Sequence, residues 1–188
     1  LQVKFKNVPA FVQALDAKVE VKGVGTVTLD VAYGGMHYAL MDAASLGFAI
    51  TPDEARDICV MGEKIREACQ EQLKGIVHPE NPGIRHVTIT EFMGPLKRTK
   101  KGPTARNTVV VSPGRLDRSP CGTGTCARMS VLHARGELAV GERFLHDSFI
   151  GTQFTGRVIA STGADVAAAI SGAIGAMSGA LHGGAPSR

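Results

Sequence analysis

Hydrophobic and polar positions alternate with period two through the opening stretch of the chain. Leu1-Gln2-Val3-Lys4-Phe5 reads as one strand, Val19-Glu20-Val21-Lys22 as a second and Thr26-Val27-Thr28-Leu29-Asp30-Val31 as a third. Successive side chains of a strand point to opposite faces, so each run predicts an apolar and a polar side. Gly23-Val24-Gly25 separates two of the runs as a turn, which favours short antiparallel strands. Tyr33-Gly34-Gly35 interrupts the pattern before Tyr38-Ala39-Leu40-Met41 resumes it. A bulge is the preferred reading of that glycine pair, ahead of a close backbone approach to a ligand.

The period then lengthens. Thr51-Pro52-Asp53-Glu54 is a helix start, with a hydroxyl N-cap, proline in the first turn and two acids beside it. Ile58, Met61, Ile65, Ala68, Cys69 and Leu73 fall on one face at helical spacing, which predicts a helix to about residue 73 that stops at Gly75. Residues 79–83 form a turn, 86–92 and 108–111 read as strands, and Ser112-Pro113-Gly114 turns the chain again. The run 126–135 is apolar on most sides, the mark of a buried central helix, with Gly136 as its C-cap. Short strands follow near 143–150 and 152–159. From Ala160 the chain is rich in Ala, Gly and Ser, and a strand, a helix or a disordered tail all fit it. Strands and helices in this mixture give an α/β chain of the α+β type.

Composition narrows the function classes. With 188 residues and 44% hydrophobic content, a packed core is expected. The net charge of +4 is weak, and the basic stretch Lys97-Arg98-Thr99-Lys100-Lys101 has no interleaved aromatic residue. It reads as a solvated loop, and no nucleic-acid partner is expected. Nothing resembles a signal peptide or a spanning helix, so no membrane partner is expected either. The four cysteines, Cys59, Cys69, Cys121 and Cys126, include no CxxC pair. Metal binding is therefore not expected, and the low count favours a reducing, cytoplasmic setting. Cys59 and Cys69 read as small buried hydrophobes, Cys126 as part of its helix.

The chemistry concentrates in Asp117-Arg118-Ser119-Pro120-Cys121-Gly122-Thr123-Gly124-Thr125. Cys121 stands before a helix, where the positive end of the dipole is expected to depress its pKa. Gly122 and Gly124 let backbone amides come close to a ligand, Thr123 and Thr125 add hydroxyl donors, and a carboxylate fits such a nest. Asp117 is placed to accept a hydrogen bond from a substrate ammonium. The set suits an amino acid reacting at Cα. On residues alone, a buried structural cysteine beside a glycine-rich turn stands level with that reading. A phosphate loop fits less well, because the Gly-Lys-Ser/Thr ending is absent.

This run, followed by Ala-Arg-Met and His-Ala-Arg-Gly, resembles the second active-site motif of the proline racemase family. That family includes 4-hydroxyproline 2-epimerases and trans-3-hydroxyproline dehydratases. Phe5-Lys6-Asn7-Val8-Pro9, Val31-Ala32-Tyr33-Gly34-Gly35, Ile150-Gly151-Thr152 and Gly156-Arg157 extend the likeness over residues 1–160. The resemblance implies a diaminopimelate-epimerase-like lobe, a curved, mostly antiparallel sheet around a central helix. It also implies a cofactor-independent enzyme in which two thiols face opposite sides of Cα. Cys121 would be one acid/base, Asp117 would contact the substrate nitrogen, and Gly122 and Thr123 its carboxylate.

Two departures shape the expectation. The family's first catalytic motif, a Met-Cys-Gly-His-like stretch, is absent, so the chain reads as the C-terminal lobe of a longer enzyme. The expected partners are a small proline-type substrate and the N-terminal lobe, with a homodimer left open and no activity from these residues alone. The chain also has no Trp, which the family carries in its last strand, and position 126, commonly Ser, is Cys. Three functions follow in order: a racemase or epimerase, a hydroxyproline dehydratase, and a non-catalytic amino-acid-binding or mitogen-like secreted module.

Overall fold

The computed structural model describes residues 6–159 and the backbone of Ile170–Ser171. The strand expected at residues 1–5 and the rest of the stretch from 160 lie outside the described residues. Strands β1 (Phe11–Val21), β2 (Gly25–Tyr33) and β3 (His37–Asp42) form an antiparallel meander. Helix α1 (Ala55–Gln72) then leads to β4 (Ile89–Met93), β5 (Lys97–Thr99), β6 (Gly102–Val111) and β7 (Arg115–Asp117). Helix α2 (Gly122–Ala134) precedes β8 (Arg143–Ser148), β9 (Gln153–Val158) and the short β10 (Ile170–Ser171).

The strands form one ten-stranded sheet, ordered β1-β2-β3-β4-β6-β8-β9-β10, with β5 and β7 also paired to β6. Pairing is antiparallel except at β3–β4 and β6–β8. Those two parallel pairs are the places where α1 and α2 carry the chain across, as parallel neighbours require. The α+β class and the mostly antiparallel sheet agree with the sequence pattern.

The helices cover opposite faces, so alternate residues of the central strands are buried on both sides. On β3, Ala39 and Met41 join the cluster that holds Ile58 and Ile65 of α1, whereas Tyr38 and Leu40 join Ala127 and Val131 of α2. Phe92 likewise faces α1, and Ile89 and Met93 face α2. Two-sided burial makes these strands apolar in both phases.

Local chemistry explains where the elements begin. Thr51 and Glu54 form a reciprocal capping box, but the first turn, Pro52–Glu54, is a 3-10 turn and the α-helix starts at Ala55. The second helix begins at Gly122, earlier than its hydrophobic run, because the Thr125 N–H already bonds the Cys121 carbonyl at 2.9 Å. It ends as expected, with Gly136 at φ 72° donating to the His133 carbonyl at 2.9 Å. The basic stretch is not a plain loop: Lys97–Thr99 is an exposed outer strand paired to β6.

Gly34 and Gly35 correct the bulge reading. They form the β2–β3 turn, where Tyr33 pairs with His37. A β-carbon on Gly34 would lie 2.1 Å from the Thr123 carbonyl oxygen and 2.6 Å from the Ala127 nitrogen. The pair is a close approach of backbone, made to the first turn of α2.

Candidate active site

Cys121 occupies the N-cap of α2, and its backbone is unusual, with φ 63° and ψ 122°. A non-glycine residue at positive φ costs on the order of 1–3 kcal/mol and persists only where its surroundings impose it. Here they do. The Cys121 N–H donates to Ser119 Oγ at 3.0 Å, and the Ser119 N–H donates to Asp117 Oδ1 at 2.9 Å. The Cys121 carbonyl accepts from Thr125 Oγ1 at 2.6 Å as well as from the Thr125 amide. One residue earlier, the Pro120 carbonyl accepts from Asn107 Nδ2 at 2.9 Å.

Cys121 is 9% exposed, and its sulfur faces two hydroxyls. Tyr38 Oη lies 3.3 Å from it and Thr123 Oγ1 3.8 Å, while the two hydroxyls are 2.6 Å apart. The Gly124 amide also donates to the sulfur. A β-carbon on Gly124 would come within 3.3 Å of Cys121 Sγ and 3.0 Å of Glu91 Oε2, which explains glycine at that position. The amides of Gly122 and Thr123 open the helix and have no acceptor within it, the arrangement that suits an anion.

The thiol departs from the expected depression. Burial pushes Cys121 up to about 11; the Tyr38 and Gly124 hydrogen bonds pull it down, and the Asp117 and Glu91 carboxyls push it up. Desolvation of the charged form outweighs the helix end, so the thiol holds its proton at neutral pH. Thr125 is a second correction. It is 1% exposed, and its hydroxyl serves the Cys121 carbonyl and His146 Nδ1, the latter at 2.9 Å. It braces the turn from inside and offers no donor to a ligand. Asp117, Gly122 and Thr123 stay half-buried around the helix start.

Beneath the turn lies a polar group that the sequence reading missed. Glu91, Asn107 and His146 are fully buried. Asn107 Nδ2 bridges Glu91 Oε1 at 2.8 Å and the Pro120 carbonyl, and His146 Nε2 lies 3.8 Å from Glu91 Oε1. Burial pushes the Glu91 carboxyl up to about 8 and holds His146 well below its usual range, with Arg128 adding to the latter. The pair is therefore neutral near pH 7. A signal was available: Glu91 stands in phase with Ile89 and Met93, so a carboxyl occupies an inward position of an apolar strand. All four cysteines are free thiols.

The family model described as proline racemase matches residues 1–182. This chain belongs to the proline racemase family. The match runs past residue 160, where the motif likeness stopped. Among solved structures, a hydroxyproline epimerase from Agrobacterium vitis, with trans-4-hydroxy-L-proline bound, is 38% identical with a TM-score of 0.79, over 90% of this chain and 48% of that one. A probable proline racemase from Agrobacterium radiobacter, with carbonate bound, is 34% identical with a TM-score of 0.79, over 96% of this chain and 54% of that one. This member of the proline racemase family therefore spans about half the length of those two relatives. No helix among its described residues is long and apolar enough to cross a membrane.

Proposed function

We propose that the chain supplies one of two proton-transfer groups for racemisation or epimerisation at Cα of proline or hydroxyproline. The observation that carries this is the Cys121 sulfur, fixed by a strained N-cap beside the open amides of Gly122 and Thr123. In this reading the substrate carboxylate rests on those amides, and the ring nitrogen faces Asp117. The opposing group, on a lobe outside these 188 residues, takes the Cα proton. The Cys121 S–H bond breaks as a new C–H bond forms on the other face, leaving a thiolate. In the reverse direction the thiolate is the base.

A protonated resting thiol makes Cys121 the donor in the first step. The negative charge of the intermediate spreads onto the carboxylate, where the helix end stabilises it. The cationic ring nitrogen beside Asp117 offsets the carboxylate that disfavours the thiolate, so substrate brings the sulfur toward its ionised form. The secondary amine stays free throughout, and no carbonyl cofactor enters the step. The low cysteine count supports a cytoplasmic setting, and these residues alone are inactive in this reading.

The test is Cys121→Ser in the full-length enzyme, read as incorporation of solvent deuterium at Cα of proline and of hydroxyproline. Loss by at least about a hundredfold is expected for removal of an acid/base group. Exchange at the unaltered rate would overturn the assignment.

A further inference from the structure

Tyr38 is fully buried on β3, yet its hydroxyl emerges between the two polar groups that line the start of α2: Cys121 Sγ at 3.3 Å and Thr123 Oγ1 at 2.6 Å. A phenol and a threonine hydroxyl each have one hydrogen to donate, so only one of the two bonds can receive the Tyr38 proton at a time. A thiolate is the stronger acceptor. With Cys121 ionised, Tyr38 O–H points to sulfur and Thr123 O–H points to Tyr38. With Cys121 protonated, Tyr38 O–H turns to Thr123, and the Thr123 hydrogen is released toward the helix mouth.

We propose that Tyr38 is a positioning residue that links the protonation state of Cys121 to the direction of the Thr123 hydroxyl. The inference rests on the acid/base reading of Cys121 and deepens it. The clamp hydroxyl then faces the ligand carboxylate when the sulfur is ready to give a proton, and withdraws when it is ready to take one. The acidic groups that face the sulfur are Asp117 on β7 and Glu91 on β4, both of which oppose the thiolate, whereas the Tyr38 hydrogen bond favours it. Burial and the neighbouring Cys121 push the Tyr38 phenol well above its usual range, so it stays a donor while the thiol titrates.

The test is the rate of iodoacetamide alkylation at Cys121 in the full chain, located by mass spectrometry and followed against pH, for wild type and Tyr38→Phe. A hydrogen bond to an ionised group shifts such an equilibrium by about one to two pKa units. Higher intrinsic nucleophilicity offsets nearly half of that, so below the thiol pKa the variant is expected to react about three- to tenfold more slowly. Its reactivity should also rise at higher pH. A ring-fluorinated tyrosine at position 38, a stronger donor of nearly the same shape, should move the profile to lower pH. Profiles that superimpose for the folded Phe variant, or for the fluorinated chain should Phe fail to fold, would overturn the proposal. The readout needs no turnover, so it separates from loss of the enzymatic reading, which the deuterium experiment on Cys121→Ser decides.

Discussion

Gly34→Ala is the sharpest probe of how the site is assembled. The new β-carbon would sit 2.1 Å from the Thr123 carbonyl oxygen and 2.6 Å from the Ala127 nitrogen. Ordinary carbon–oxygen contacts begin at about 3.3 Å, so the turn and the helix must part by about 1 Å. Neither side yields easily, because both obstructing atoms are backbone of α2. Overpacking of this kind costs typically about 1–3 kcal/mol, and rigid partners place it at the upper end. Gly34 is not in the left-handed region, so alanine also restricts the unfolded chain, which returns about 0.4–1 kcal/mol. A net loss of about 2–2.6 kcal/mol is expected. With a urea slope of about 2 kcal/mol per molar, the midpoint should fall by about 1–1.3 M. Gly75→Ala is the matched control: no atom lies within 4 Å of its would-be β-carbon, and its backbone is not left-handed. That change should be neutral or slightly stabilising. Equal midpoints for the two variants would refute the claim that this close approach is a rigid contact.

Two further expectations concern the buried polar group. The Glu91 carboxyl is raised from 4.5 to about 8, so between those values the native state keeps a proton that the unfolded chain has lost. Stability therefore falls as pH rises through this window. His37 and His146 are depressed and lose stability as pH falls through their usual 6.5, an opposite contribution that comparison with a Glu91 variant cancels. Glu91→Gln should remove a decline of about 1.6 kcal/mol between pH 6.5 and 8, measured by urea denaturation at both ends; an unchanged slope would count against a protonated Glu91. Asn107→Ala strips a hydrogen bond from Glu91 Oε1 and another from the Pro120 carbonyl, both buried. It should cost about 2–4 kcal/mol in urea and speed Cys121 alkylation by freeing its turn; a variant as stable as wild type would show that water takes over both bonds.

Much of the architecture is visible in residue order. The 51–54 cap, the apolar stripe from Ile58 to Leu73 and the glycine at 136 each state their structure locally, and the helices lie there. What escaped is what depends on distance across the sheet. Tyr38, Glu91, Asn107 and His146 come from four strands, and nothing near any of them in sequence names Cys121 as a neighbour. The glycine pair 34–35 carried the right alternative, a close backbone approach, but its partner was the chain's own helix. The Cys121 pKa failed for a related reason. A helix end is local and readable, whereas burial and the opposing Asp117 and Glu91 are products of the fold. The nine-residue motif located the sulfur, but not the direction in which its surroundings push it.

In the proposed acid/base reading, the positive-φ backbone at residue 121 puts stability and chemistry in conflict at a single position. Glycine would relax that conformation, so selection for heat resistance alone would drift toward it and silence the sulfur. If Cys121 is the proposed proton-transfer group, a library screened only for thermal tolerance should thus enrich inert molecules at this codon, and the persistence of cysteine there becomes a readout of selection for turnover.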